Sequence, residues 1–138
     1  NWRFTPPPSA AKAGAHEAGG IAWQPWAPAA LEQARAEGRP VLVDFTADWC
    51  VTCQANKKTS LEIPAVRQKL LDIGAVALLG DYTRENPEIT RELRRFGRAG
   101  VPLVLVYPRD AEKPPLVLPS LLTPGIVLDA LSKAEGGS

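Results

Sequence analysis

The chain has 138 residues, 45% of them hydrophobic and 22% charged, with a formal net charge of +1. That length suits one domain with a core of its own, and the near-neutral balance lacks the basic stripe that nucleic acid or an anionic membrane surface calls for. No apolar run approaches the ~20 residues of a membrane-spanning helix, no signal peptide is visible, and the one basic cluster, "RELRRFGR", reads as a solvated helix face.

The chain begins at Asn1 and contains no methionine, which points to a processed chain or an excised domain. Residues 1–20, "NWRFTPPPSAAKAGAHEAGG", are rich in Pro, Ala and Gly without apolar periodicity and read as a flexible linker. The single histidine, His16, falls in it and reads as a bystander. The folded domain is expected over residues 21–138.

"IAWQPW" suits a short edge strand, because Pro25 cannot donate to a second neighbour. "PAALEQARAEG", with proline in its first turn and glycine after its end, marks a helix. "VLVDFT" is a short β-branched and aromatic run, expected as a strand buried on both faces. Cys50 to Leu61 suit a helix, and "PAVRQKLLDIG" continues helically after a break at Pro64. "AVALLGDY" is the next strand, and "NPEITRELRRFG" is a helix with an Asn cap, a proline at its first position and a closing glycine. "LVLVYP" and "PLVLPS" form two strands across "RDAEKP", a hairpin, and "TPGIVLDALSKA" closes the chain as a helix capped by Thr123. The order β-α-β-α-β-α-β-β-α predicts an α/β fold: a mixed central sheet, parallel in its first part, with helices on both faces.

"FTADWCVTC" holds both cysteines of the chain, Cys50 and Cys53. A zinc site wants four ligands, often from two such pairs; one pair and one distant histidine fall short, and no metal or other cofactor is expected. A static disulfide across two residues closes too short a loop to constrain the unfolded chain much, so this bond is of more use made and broken. With a strand ending at Thr46 and a helix starting near Cys50, the first thiol meets unpaired backbone N–H groups that favour its thiolate. Cys50 is therefore expected to attack a partner's disulfide, and Cys53, one turn further in and less exposed, to resolve the mixed disulfide.

Three further positions stand out. Trp49 precedes the first cysteine; ordinary packing is one reading, and a flat apolar surface for docking partners is the other. Asp44 interrupts an apolar strand six residues before Cys50, where desolvation would raise its pKa and suit it to trade a proton with Cys53; a carboxylate leaning out at a strand edge is the competing reading. "GVPL", Gly100 to Leu103, leads into a strand. Its proline reflects edge protection or a cis Val101–Pro102 bond facing the cysteines and offering backbone groups to an extended partner chain; the cis form is the one expected here.

Strand, "ADWCVTC", helix and a later "GVP" before a strand resemble the thioredoxin superfamily over roughly Ile21 to Ala134. Within it, "VDFTADWCVTC", "VRQKL", "RFGRAGVP" and "LPSLLTPGIVLDAL" are most similar to the C-terminal periplasmic domain of DsbD-type thiol:disulfide interchange proteins, including their ScsB relatives. The resemblance implies a thioredoxin-like fold, Cys50 as nucleophile, Cys53 as resolving thiol, Asp44 as the acid near the pair and Pro102 as the cis-proline. It further implies a thiol–disulfide oxidoreductase that takes reducing equivalents from a membrane-embedded domain of the same protein. These pass to a periplasmic thioredoxin-like or N-terminal DsbD-type acceptor, at the periplasmic face of a bacterial inner membrane, the isolated domain being a monomer. One position departs from the pattern: Lys57 stands four residues after Cys53, where better-known members carry a second acid. A free-standing thioredoxin-like oxidant or isomerase, and a non-catalytic binding or chaperone module, are the alternatives.

Overall fold

The computed structural model describes residues 20–136. The expected linker, apart from Gly20, and His16 lie outside the described residues. The strands are β1 (Trp23–Pro25), β2 (Val41–Thr46), β3 (Val76–Asp81), β4 (Leu103–Tyr107) and β5 (Leu116–Val117). They form one sheet in the order β1-β3-β2-β4-β5. The β1–β3 and β2–β3 pairs are parallel, and the β2–β4 and β4–β5 pairs antiparallel. β1 is an edge strand, which accommodates Pro25.

The helices are α1 (Pro28–Ala36), α2 (Val51–Asn56), α3 (Pro64–Ile73), α4 (Pro87–Arg95) and α5 (Pro124–Ala134), each except α2 with proline in its first turn. Asn86 caps α4 by accepting from the N–H groups of Glu88 and Ile89, and Thr123 caps α5 by accepting from Ile126. Strand alternation sorts the central strand onto two cores. Val41, Val43 and Phe45 pack with Ala34 of α1 and Ile89 and Leu93 of α4. Leu42, with Val104 and Val106, packs with Val66 and Leu70 of α3 and Val127 and Leu131 of α5. Helices therefore cover both faces, the α/β architecture that the element order predicts.

Two elements differ from expectation. The helix after Cys50 keeps α geometry only to Asn56; Lys57–Leu61 form a π-helical turn, closed by a bond from Glu62 N–H to Lys57 C=O at 2.8 Å. Thr59 donates its hydroxyl back to the Ala55 carbonyl at 3.0 Å, a local competition that loosens helical turns. The second strand of the hairpin shrinks to Leu116–Val117, because Pro114, Pro115 and Pro119 flank it and none can donate to a ladder. Gly80 of β3 lies opposite Phe45, and a Cβ there would run into the Phe45 ring; the glycine lets that ring lie flat against the sheet, where Trp26 meets it edge-on at 5.0 Å.

Candidate active site: the Cys50–Cys53 disulfide

β2 runs buried to Phe45 and delivers the chain at Thr46 to the end of the sheet, where "ADW" turns into α2. Cys50 is the N-cap of α2, with extended φ, ψ of −91° and 106°. Cys50 and Cys53 are joined as a disulfide with Cα atoms 5.2 Å apart, and the Cys53 N–H donates to the Cys50 Sγ at 3.2 Å. A backbone donor aimed at sulfur favours a thiolate there once the bond opens. The expected contrast in exposure is slight, 7% for Cys50 against 4% for Cys53. The N-cap position, rather than exposure, separates the two sulfurs. Both pack with Ala47, Tyr82 and Val101.

The Val101–Pro102 peptide is cis, and Val101 lies against the disulfide. Among the described residues, neither the N–H nor the C=O of Val101 has a hydrogen-bond partner. Trp49 and Val51 flank Cys50 at 60% and 83% exposure, so the disulfide is rimmed by open apolar surface. Trp49 is not loose: its indole N–H donates to the Thr83 carbonyl at 3.0 Å, while the Asp48 N–H donates to the Thr83 hydroxyl at 2.9 Å. The loop after β3 thus fixes the approach to the cysteines.

Asp44 is buried within the sheet and faces a cavity of about 80 Å3 lined by Trp23, Thr46, Gln54, Lys57 and Leu79. The edge reading of Asp44 therefore fails: β2 is the central strand. Burial pushes its carboxyl pKa up to about 7; the Lys57 charge opposes this rise and Glu62 adds to it. Glu62 is itself held by the Ile21 N–H and the Trp23 indole N–H, at 3.0 and 2.8 Å. The cavity has room for water beside Gln54, the neighbour of Cys53, whose amide donates to the Ala47 carbonyl at 2.9 Å.

Lys57 lines the Asp44 cavity, so its charge reaches the site through Asp44. Lys57→Glu is expected to raise the Asp44 pKa further, and to lower the thiolate fraction of Cys50 at neutral pH by placing negative charge near it. Lys57 is exposed, so the effect should be small and should shrink as salt rises to ~0.15 M. Thiolate absorbance titrations of both proteins at two salt concentrations check this; an unchanged or larger thiolate fraction in the variant would make Lys57 plain surface.

Several supporting residues escape a reading of the sequence. Asn56 donates to the Ser120 carbonyl at 2.8 Å and accepts from the Leu122 N–H at 3.0 Å, fastening the cysteine helix to the loop before α5. Cys53, Asn56 and Ser60 are all buried, a small and polar stripe at helical spacing that signals the inward face. Thr83 and Arg98 carry no such signal: Thr83 accepts from the Asp48 N–H and the Trp49 indole, and Arg98 donates to the carbonyls of Pro102 and Leu118.

A strand that ends in a C-x-x-C disulfide at a helix cap, across from a cis-proline entering an antiparallel strand, defines the class: residues 22–108 match the thioredoxin-like family model, and the chain belongs to that family. It is similar to the thiol:disulfide interchange protein DsbD of Ralstonia nicotianae, 31% identical over 107 residues that make up 78% of this chain and 17% of that protein. It is also similar to DsbD of Klebsiella pneumoniae, at 34% over 62% of this chain and 14% of that protein. The chain therefore spans about a sixth of the length of these curated relatives. Among solved structures, the oxidised DsbD C-terminal domain of Neisseria meningitidis superimposes with a TM-score of 0.60 at 26% identity, covering 80% of this chain and 98% of that one. A thioredoxin from Thermus thermophilus gives 0.62 at 26% identity, covering 80% and 84%. Cys50 and Cys53 thus form a C-x-x-C disulfide at a helix cap in a chain of the thioredoxin-like family.

Proposed function

We propose that this domain relays reducing equivalents by dithiol–disulfide exchange, taking them from a membrane-embedded domain of the same protein and passing them to a thioredoxin-like acceptor at the periplasmic face of a bacterial inner membrane. The observation that carries the reading is the disulfide at the cap of α2, against the cis Val101–Pro102 peptide, in a chain similar to DsbD proteins. Among the described residues no helix is long and apolar enough to cross a membrane; the membrane partner belongs to the proposal.

In the forward step, the Cys50 thiolate attacks one sulfur of an acceptor disulfide. The acceptor's S–S bond breaks, a Cys50–acceptor bond forms, and one acceptor thiolate leaves and is protonated. Cys53 then loses its proton, with Asp44 the nearby candidate base, and attacks the Cys50 sulfur. The Cys50–Cys53 bond forms, the second acceptor sulfur leaves as a thiolate and takes up the proton that Cys53 gave, and two electrons have passed to the acceptor, whose first thiolate takes its proton from water. The reverse sequence on a donor dithiol reloads the domain. Trp49 supplies an apolar docking face, and the backbone groups of Val101, unpartnered among the described residues, pair beside Pro102 with an extended acceptor strand.

The test is the reduction potential. A relay fed by thioredoxin-level reductant should poise near ~−270 mV, whereas a strong oxidant would sit nearer ~−120 mV. Equilibration of the domain with glutathione buffers, read by mass shift after thiol trapping, gives the value; one near the oxidant end would reverse the direction of electron flow.

A further inference from the structure

The sheet is short of donors where it meets the redox site. β4 and β5 pair Leu105 with Val117 and Val106 with Leu116, and the Leu118 N–H carries the ladder one step further to the Val104 carbonyl at 3.0 Å. The next step toward the cysteines needs N–H groups that Pro102 and Pro119 do not have. The carbonyls of Pro102 and Leu118 are left facing this gap.

Arg98 fills it. One guanidinium nitrogen donates to the Pro102 carbonyl at 2.9 Å and the other to the Leu118 carbonyl at 3.4 Å. The side chain is half-buried, and its own N–H is tied to the Leu93 carbonyl at 2.9 Å, just past Gly97 in the left-handed conformation (φ 71°). The residue is thus anchored at the exit of α4. Leu118 leads into the segment that Asn56 of the cysteine helix grips at Ser120 and Leu122. A closed circuit results: α2 holds the 118–122 segment through Asn56, Arg98 joins that segment to Pro102, and Val101 returns to the disulfide.

We propose that Arg98 is a positioning residue for disulfide exchange: it holds the Val101–Pro102 segment in the shape that receives an extended acceptor chain. This rests on the exchange reading above. The Arg fork suits the role because its donors are planar and fixed and it stays charged throughout the working pH range. A lysine offers a single nitrogen in place of the rigid fork that meets the two carbonyls with separate nitrogens. Arg98 takes the Pro102 carbonyl, and among the described residues the Val101 N–H and C=O have no partner and can pair with the acceptor.

Insulin and 5,5′-dithiobis(2-nitrobenzoate) separate docking from chemistry, since the second is a small disulfide that needs no strand pairing. Insulin reduction is measured with excess dithiothreitol, and the small disulfide by its second-order rate with the reduced domain. For Arg98→Met, which keeps the apolar stem, KM for insulin should rise about fivefold, the weight of one ordinary hydrogen bond. Its kcat and its rate with the small disulfide should stay within about twofold, because the cysteines themselves are untouched. Arg98→Lys should fall between Met and wild type. Urea unfolding of each variant, done alongside, checks that the fold persists; Arg98→Lys serves if Met unfolds. Unchanged insulin KM in both variants, or equal losses with both substrates, would overturn the assignment. A wild-type domain inert in both assays would sink the exchange reading, and this one with it.

Discussion

Cys53→Ser should stall the domain as a mixed disulfide through Cys50, and Cys50→Ser should abolish exchange altogether. The two sulfurs differ little in exposure, so the distinction rests on the cap: Cys50 accepts the Cys53 N–H and stands where unpaired helix donors favour negative charge. A serine hydroxyl has a far higher pKa and supplies almost no anion near neutrality, so the loss in Cys50→Ser should be at least about a thousandfold. In Cys53→Ser the first attack survives, but nothing expels the acceptor. Peptide mapping after brief iodoacetamide treatment of the reduced domain should find Cys50 labelled well before Cys53. Mass spectrometry of Cys53→Ser mixed with a periplasmic extract should find covalent adducts on Cys50. Faster labelling of Cys53, or adducts from Cys50→Ser instead, would reverse the roles.

The second large effect concerns Asp44 and pH. Its carboxyl pKa is pushed up to about 7 in the folded protein, first by burial, against an ordinary value of 3.8. Between those values the folded state holds a proton that the unfolded chain has released, so this group makes stability fall as pH rises from about 4 to about 7, levelling beyond. Over the whole window the contribution is on the order of 4 kcal/mol. Two charged groups modify the effect of burial: Lys57, which favours the carboxylate, and Glu62, which opposes it and lies 3.9 Å from Arg67. Asp44→Asn cannot titrate. Urea unfolding of the oxidised domain at pH 4, 6 and 8 should therefore show the variant gaining on wild type as pH rises, whatever constant offset the amide brings. A difference independent of pH would mean that Asp44 is an ordinary carboxylate in the fold. The same substitution should favour the Cys50 thiolate slightly, by removing a nearby negative charge, yet slow the resolving step about tenfold or more at pH 7 to 8, by removing the base for Cys53. Stopped-flow mixing with a disulfide peptide separates the two steps.

Local chemistry was enough to read much of this protein from its sequence. Proline at the first turn of α1, α3, α4 and α5, the Asn86 and Thr123 caps and the glycines that end α3 and α4 act within a few residues of themselves, so they mark element boundaries without reference to the rest of the chain. Cys50 and Cys53 were legible for the same reason: two-residue spacing and a strand-to-helix junction already specify a cap with a thiol on it. Asp44 was legible as an anomaly in an apolar strand, but whether it pointed to water or into the core depended on the neighbours of that strand. Only the sheet order β1-β3-β2-β4-β5 made its strand central and its carboxyl titrate near 7. The π turn that sets Lys57 beside Asp44 depends on competition among side-chain and backbone bonds over Ala55–Glu62, too finely balanced for residue preference to decide. Trp49, Asn56 and Arg98 donate to carbonyls 34, 64 and 4 or 20 residues away. A backbone carbonyl is the same in every residue, so the sequence carries no mark of such a partner; folding alone brings these donors and acceptors together.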